Sequence, residues 1–204
     1  MAHVKEVFDN AIKSPADLHK DFGFAVGERR WYVAECRPTG ERMLRTMLQK
    51  AGYEAYVASR VEDRVYRSRN RRRVERILLP CRVFVRTEAS RLPGLLSEYS
   101  SIYRFLLNRA VERNEFGRSP FAFVPEEQMR QLQYVLGQAS NPVYFTADDF
   151  RLHQRVRVMR GLLSGVEGLF WQKGSSSYIV LRVEMGTSHY VYTEVNVEDV
   201  QPID

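Results

Sequence analysis

The stretch VRVMRGLLSGVEGLF, residues 156–170, decides the fold of the C-terminal part of the chain. It begins with an alternation of valine and arginine at Val156 and Val158, which is typical of a half-buried β-strand, and it ends in a second apolar run. Glycine adopts positive φ and allows close backbone approach, so glycines between the two runs predict a tight connection of two strands. These glycines are Gly161, Gly165 and Gly168.

The segment 148–204 consists of short β-type runs separated by glycine and serine turns. The runs read RVRVMR, VEGLFWQ, SYIVLRV and HYVYTEV. Four or five short strands at this spacing predict a small β-barrel. Residues 137–147 before it gather Gly, Ser, Asn and Pro without a basic residue, which is the composition of a linker.

Residues 30–136 show both strand and helix patterns and predict an α+β domain. WYVAEC is a compact strand, and Thr39 is placed to cap a helix that Gly52 ends. Further strand patterns are YEAYVA, CRVFV and SIYRFLLN, and a short helical stretch between the last two is broken by Pro93 and Gly94. A helix is predicted over PEEQMRQLQYVL, with an inner face of Met129, Leu132, Val135 and Leu136.

The net charge of +6 is concentrated in the middle of the chain. Residues 31–136 hold 20 basic against 12 acidic residues, whereas residues 148–204 hold six against eight. Of the 31 basic residues 26 are arginine, whose planar guanidinium suits phosphate and stacks on bases. The distribution indicates a polyanionic partner for the middle segment, and a well-solvated surface is the alternative.

Arginines are densest in residues 60–76, where eight of them stand against three acids. Valine and isoleucine patterns on both sides of residues 68–70 predict a long hairpin with arginines at its tip. Such a tip suits nucleic-acid phosphates without base readout; the alternative is a solvated hairpin whose charges prevent aggregation. The predicted nucleic-acid-binding residues are Arg67, Arg69, Arg71, Arg72 and Arg73.

The sequence offers little for catalysis or for an anchored location. The four histidines are scattered, and the glycine-rich stretch lacks the Lys-Ser/Thr of a phosphate-cradling loop. We expect no enzymatic activity, no cofactor and no metal site. Cys36 and Cys81 lie in apolar strand patterns, which favours reduced core packing over a redox pair. Because no long apolar run or secretory leader is recognisable, we expect a cytoplasmic protein without membrane contact.

The order of these parts resembles one family. VRVMRGLLSGVEGLF looks like a KOW motif, which marks a small SH3-like barrel. WYVAEC with its helix, the basic hairpin, LLPCRVFV and IYRFL look like the N-terminal domain of NusG-type transcription elongation factors, an antiparallel sheet flanked by helices. Within that family, the N-terminal extension and the PEEQMRQLQYVL helix look most like UpxY, the antiterminators of capsular polysaccharide operons.

The resemblance implies a division of the chain and a function for each part. Residues 1–29 are an N-terminal extension, 30–136 an RNA-polymerase-binding domain, 137–147 a linker and 148–204 a KOW barrel. An apolar groove would bind the clamp helices of RNA polymerase, and the hairpin would lie near upstream or non-template DNA. The KOW barrel would recruit a nascent RNA leader, termination factor Rho or the ribosome. The polymerase-binding residues would be Tyr32, Leu79, Val83, Phe84, Ile102, Tyr103 and Phe105.

The chain departs from the family pattern at several positions. Cys81 and Arg82 follow Pro80 where the family usually has Gly-Tyr or Asn-Tyr, and His153 and Leu162 replace a usual glycine and proline of the KOW motif. The implied function is a non-enzymatic antitermination factor that promotes read-through of long operons. Two other interpretations are an RNA-binding or ribosome-associated KOW protein and a general NusG-like factor.

Overall fold

The computed structural model describes residues 27–65, 71–113, 117–147 and 154–203. These residues form two compact units. Of the described residues, the first unit contains those up to Val57, Cys81–Val124 and Met185–Thr187. The second contains Ala58–Pro80, Pro125–Glu184 and the residues from Ser188 onward. This grouping differs from the predicted segments, which stay a prediction, because a compact group of residues does not by itself define a domain.

Thirteen strands and three α-helices follow one another in the described residues. In chain order they are β1 (Arg29–Cys36), α1 (Glu41–Lys50), β2 (Glu54–Tyr56), β3 (Ser59–Val65), β4 (Arg71–Ile77), β5 (Arg82–Glu88), α2 (Leu92–Glu98), β6 (Ile102–Phe105), β7 (Phe123–Val124), α3 (Glu126–Gln138), β8 (Val143–Thr146), β9 (Gln154–Val158), β10 (Glu167–Lys173), β11 (Ser176–Glu184), β12 (Ser188–Glu194) and β13 (Val200–Pro202). Among these residues no helix is both long and apolar enough to cross a membrane.

The first unit is built on an antiparallel sheet with the strand order β2-β5-β1-β6. β7 pairs with β1 as well, so β6 and β7 lie end to end along one side of that strand. The middle of β1, from Trp31 to Ala34, is buried, and since successive side chains point to opposite faces, both faces of the sheet are covered there. Leu44 and Leu48 of α1 are also fully buried, one helical turn apart, as expected for one apolar helix face.

The second unit contains the β3–β4 hairpin, α3 and a six-stranded antiparallel sheet. The strand order of the sheet is β13-β9-β10-β11-β12-β8. α3 packs against β11 and β3. Its buried residues are those predicted from the sequence: Met129, Leu132, Val135 and Leu136.

The structure differs from the sequence predictions at four places. Thr39 does not cap α1; it has a φ of +62°, and Gly40 is the N-cap residue. α2 is continuous through Pro93, because proline in a first turn removes no helical hydrogen bond. β6 ends at Phe105, earlier than SIYRFLLN predicts. Four residues of the predicted linker form β8, which pairs with β12.

Candidate functional surfaces

The glycine-rich loop connects β9 and β10 and is closed by hydrogen bonds to β9. Gly165 N donates to Val158 O at 2.8 Å, and Val158 N donates to Val166 O at 2.9 Å. Gly161 and Gly165 have φ values of +80° and +89°, and a Cβ on either would meet no atom within 4 Å. These two glycines therefore serve the backbone conformation, and the tight connection predicted for this stretch is present.

Gly168 lies in β10, outside the loop to which the sequence pattern assigned it. It is opposite Val156 of β9. A Cβ on Gly168 would lie 2.7 Å from Val180 O and 2.8 Å from Ile179 Cγ1. The absence of a side chain at Gly168 thus allows the backbone of β11 to approach β10 closely. Glycine in a strand often marks such a close approach of another backbone.

The basic hairpin consists of β3 and β4. Of the five arginines predicted to bind nucleic acid, Arg67 and Arg69 lie outside the described residues and Arg71 begins β4. Arg72 and Arg73, further along β4, are exposed. The structure therefore gives two of the predicted residues the solvent exposure that phosphate contact requires.

Arginine stands opposite arginine at two positions of the hairpin. The register pairs Arg60 with Arg76 and Arg64 with Arg72. Like charges at opposed positions destabilise a strand pair, and Arg76 also contacts Glu62 at 3.5 Å. The density of positive charge along this pair of strands therefore suits an anionic partner.

Arg60 has a structural task at the base of the hairpin. Its guanidinium donates to Asn141 O at 2.6 Å and also to Ala139 O. Ala139 is the C-cap residue of α3, where a cation is favourable because the carbonyls at a helix C-terminus carry partial negative charge. Ser59 Oγ donates to Glu75 Oε1 at 2.5 Å and links the two strands. Only the fold reveals this role, since Arg60 resembles its neighbours in sequence.

Most of the predicted polymerase-binding residues belong to the core of the first unit. Five of the seven are at most 4% exposed: Tyr32, Val83, Phe84, Ile102 and Phe105. The rings of Tyr32 and Phe105 both meet Phe121 edge to face, at 6.5 and 6.4 Å between centroids. Burial raises the pKa of Tyr32 to about 12. Leu79 is half-buried, and Tyr103 is 50% exposed.

Apolar side chains are exposed along β6 and the segment that follows it. Tyr103, Leu107 and Val111 are 50%, 41% and 51% exposed. We call these three residues the apolar strip. Leu107 forms an isolated bridge with Phe121, which ties the strip to β7. Leu107 and Val111 are absent from the sequence-based site, because their four-residue spacing in a nonhelical segment carries no recognisable signal.

A partly exposed network of ion pairs connects β1, β5 and β6. The Glu35 carboxylate accepts from Arg82 at 3.1 Å and from Arg104 of β6. Burial alone would raise the pKa of Glu35, but the hydrogen bonds and charges of Arg104 and Arg82 outweigh it and hold the pKa below its ordinary value. Glu35 therefore stays ionised and fixes Arg104 next to the exposed Tyr103.

Four aromatic rings from four strands of the C-terminal sheet lie together, and Trp171 also meets Tyr192 at 5.6 Å; we call the four rings the aromatic row. Tyr144 and Tyr192 stack at 5.2 Å, Tyr178 meets Tyr192 at 5.7 Å, and Trp171 meets Tyr178 at 5.0 Å. Lys173 Nζ lies 5.9 Å from the centre of the Trp171 ring. Tyr144 is 45% exposed. Rings of this kind, next to a cation, suit contact with bases or with a protein partner.

Comparison with known proteins decides the family. A sequence model described as "Transcription termination factor nusG" matches residues 29–133, which is more than half of the chain. The chain belongs to the NusG family. A search of curated proteins finds no match. The solved structure titled "Domain interaction in Thermotoga maritima NusG" is 14% identical, with a TM-score of 0.40, over 87% of this chain and 98% of that chain.

The NusG family consists of non-enzymatic transcription termination and antitermination factors, and factors of this family bind RNA polymerase. The family match ends within α3, so it includes β1 to β7 and the basic hairpin. The apolar strip and the exposed hairpin residues Arg72 and Arg73 therefore lie in the NusG-family part of the chain. In the part of the chain that the structure describes, no three His, Cys, Asp or Glu residues group as metal ligands.

Proposed function

We propose that this NusG-family chain is an antitermination factor that binds RNA polymerase and promotes read-through of long operons, in particular polysaccharide operons. The apolar strip is the observation that carries this proposal. Three large apolar side chains between residues 103 and 111 are exposed, which is unfavourable in water, and a partner that covers them removes this cost. We assign the clamp helices of RNA polymerase to this strip, and we place the protein in the cytoplasm, where transcription occurs.

The seven residues predicted for the polymerase contact divide into two roles. Tyr103 is exposed enough to touch a partner helix, and Leu107 and Val111 extend its surface. Tyr32 and Phe105 shape the strip from inside through their contacts with Phe121. An amphipathic helix that lies against such a strip would bury its own apolar face there, which is a known mode of recognition.

The basic hairpin supports a nucleic-acid contact that accompanies polymerase binding. Arg72 and Arg73 are exposed on β4, and Arg67 and Arg69 stand next to them in the sequence. Contacts of arginine with phosphate are independent of sequence, so they suit upstream or non-template DNA at any point of a long operon. The factor needs only to prefer one polymerase state, since about 1.4 kcal/mol of preference changes an equilibrium tenfold.

We assign the C-terminal sheet to a KOW domain of the SH3-like barrel type. The strand, glycine loop and strand from Gln154 to Lys173, with positive φ at Gly161 and Gly165, support this assignment. The domain would recruit Rho, the ribosome or the nascent RNA leader. Its aromatic row offers the contact surface, because aromatic rings are enriched where proteins bind partners.

The proposal is tested by single-round transcription with purified RNA polymerase on a long template, with and without the native upstream leader. We expect more full-length RNA when the protein is added, and we expect the gain to disappear without the leader. An equal gain on both templates would indicate a general NusG-like factor. No gain on either template would contradict the proposal.

The polymerase surface is tested separately by the variant Val111→Ser in a direct binding assay. Removal of an exposed apolar contact should weaken polymerase binding about tenfold, which corresponds to about 1.4 kcal/mol. Val197→Ser is the matched control, because Val197 is 59% exposed and lies far along the chain, before β13. If the two variants bind equally well, the apolar strip is not the contact surface.

An RNA-binding function without polymerase contact is a second candidate, and the aromatic row favours it. Base stacking on aromatic side chains is independent of sequence and contributes about 1–3 kcal/mol per base. The candidate predicts that the full-length protein binds single-stranded RNA and that Tyr144→Ala weakens this binding. If RNA binding survives the substitution, the aromatic row is not the RNA-binding surface. If the wild-type protein does not bind RNA, this second function is wrong.

A further inference from the structure

The backbones of the two cysteines of the chain are hydrogen-bonded where β1 ends and β5 begins. Cys36 ends β1, and Cys81 directly precedes β5. Cys36 N donates to Cys81 O at 3.0 Å. The β1–β5 register pairs Glu35 with Arg82, so the cysteines occupy the next opposed position. With standard bond lengths, the hydrogen bond from Cys36 N to Cys81 O keeps the two α-carbons within about 7 Å of each other, and disulfides bridge separations of about 4.4–6.8 Å.

Cys81 is held in a backbone conformation that cysteine does not prefer. Its φ is +58°, in the left-handed region that favours glycine. Its N–H donates to Glu41 Oε1 at 2.7 Å, and Glu41, the first residue of α1, is only 2% exposed. The hydrogen bonds to Glu41 and from Cys36 hold the N–H and the carbonyl oxygen of Cys81 in place. An unfavourable conformation that the surroundings impose is a reason to look for a function of the residue.

The two thiols differ in accessibility and in protonation. Cys36 is 1% exposed, and Cys81 is half-buried. Burial, followed by the negative charges of Glu41 and Cys81, raises the pKa of Cys36 to about 11. The contribution of Cys81 to the raised pKa of Cys36 agrees with the short distance between the two backbones. Cys36 therefore stays a thiol near neutral pH, and Cys81 is the more exposed of the two residues.

We infer that Cys36 and Cys81 form a peroxide-responsive dithiol site that closes to an intramolecular disulfide. The proposal is independent of the polymerase contact. It concerns a pair of free cysteines in the first unit, and it assigns the more exposed Cys81 to the reaction with oxidant and the buried Cys36 to the closure.

The chemistry proceeds in two balanced steps. The Cys81 sulfur attacks one oxygen of hydrogen peroxide, the O–O bond breaks, and water leaves with the thiol proton, which gives a sulfenic acid. The Cys36 sulfur then attacks the Cys81 sulfur, the S–O bond breaks, and the Cys36 proton leaves with hydroxide as a second water. Two thiols and one peroxide thus give one disulfide and two waters, and a dithiol reductant of the thioredoxin class reverses the reaction.

The disulfide would close a loop that contains α1, β2 and the basic hairpin. A cross-link of this kind restricts the unfolded chain, so the oxidised protein should melt at a higher temperature than the reduced protein. In a reducing cytoplasm the bond would form only while oxidant is present, as is usual for redox-sensing disulfides.

The test uses the reduced full-length protein, treated with an equimolar amount of hydrogen peroxide and then with an alkylating reagent under denaturing conditions. Intact mass spectrometry should show one chain that has lost two hydrogen atoms and carries no alkyl group. A thiol reductant should restore both alkylation sites. Retention of both thiols, or disulfides only between chains, would overturn the proposal.

Single-cysteine variants distinguish the two roles. Cys36→Ser should accumulate a sulfenic acid at Cys81 that dimedone traps, because the closing thiol is missing. Cys81→Ser should leave Cys36 unoxidised under the same treatment. Should Cys81→Ser fold poorly, Cys81→Gly provides the same single-thiol test with a residue suited to the positive φ. Equal oxidation of Cys36 in the presence and absence of Cys81 would contradict the assigned roles.

Discussion

Among the described residues, the second unit has positive φ angles only at glycines, whereas the first unit has them at glycines and also at a threonine and a cysteine. In the second unit, the loop between β9 and β10 has them at Gly161 and Gly165. In the first unit, Thr39 and Cys81 have φ values of +62° and +58°. Glycine adopts this conformation freely, whereas threonine and cysteine are pushed into it by their surroundings. The glycine loop is therefore specified locally, and the two turns of the first unit are specified by tertiary contacts.

This difference explains why local sequence rules predict the glycine loop and fail at the turn before α1. The glycine loop was predictable because every residue that needs positive φ is a glycine. The turn at Thr39 was not, since a threonine before a helix normally indicates an N-cap. Substitutions at these positions measure how much each kind of turn contributes to stability.

Gly168→Ala should have the largest effect on stability. Its new methyl group would meet the Val180 carbonyl oxygen at 2.7 Å, and a backbone atom cannot move away as a side chain can. We expect a loss of about 3 kcal/mol in the free energy of unfolding, measured by urea denaturation. Gly137→Ala is the matched control, because a Cβ on Gly137 meets nothing within 4 Å and helical alanine is favourable. Equal stability of the two variants would contradict the close approach of β11.

Gly165→Ala should have a smaller effect with a different cause. The site has space for a Cβ, but its φ of +89° is unfavourable for alanine. We expect a loss of about 1–2 kcal/mol in the free energy of unfolding by the same measurement. A neutral result would show that the loop can change its conformation, and the comparison between the two units would then fail.

Thr39→Gly should change stability in the opposite direction. The substitution removes a β-branched side chain from a positive φ, although glycine also increases the entropy of the unfolded chain. We expect a net gain of up to about 1 kcal/mol. A loss of stability would mean that the Thr39 side chain contributes more than its backbone conformation costs.

Glu35→Gln should have the smallest effect, and it should depend on pH. The folded protein lowers the pKa of Glu35 below its ordinary value of 4.5, so the ion pairs stabilise the fold above that value and the contribution is lost as pH falls through the folded pKa. The wild type should therefore lose up to about 1 kcal/mol more than the variant on acidification. The measurement is thermal unfolding of both proteins at a series of pH values from neutral to below the ordinary pKa of 4.5. The prediction is wrong if the stabilities of the two proteins change equally with pH.

The sequence was most informative where periodic patterns matched real elements. The buried face of α3, the strand at Trp31 and the four strand patterns of the C-terminal segment all appear in the structure. β8 was missed, because its four residues lie among Asn, Pro and Asp, which indicate a loop. Short strands carry too few residues for a periodicity, and their formation depends on the partner strand, here β12.

The candidate site was less predictable than the fold. Apolar residues such as Val83 and Phe84 have the same pattern whether they line a groove or fill a core, and the structure places both in the core. Leu107 and Val111 follow β6 along the chain, and no local pattern indicates that their side chains are exposed. The backbone contact of Cys36 and Cys81 depends on the register of β1 and β5, so their juxtaposition also required the fold.

The contact of Arg60 with the end of α3 limits what the hairpin can give to a polyanion. The Arg60 guanidinium is directed at Ala139 O and Asn141 O and has fewer N–H groups left for a phosphate, so we expect it to displace no counterion. Each neutralised phosphate of duplex DNA contributes about 0.9 to the magnitude of the slope of log affinity against log salt concentration. Loss of Arg72 should therefore reduce the slope of log affinity against log salt by about that amount, whereas loss of Arg60 should leave the slope unchanged. The number of ions released on binding is thus smaller than the number of arginines in the hairpin.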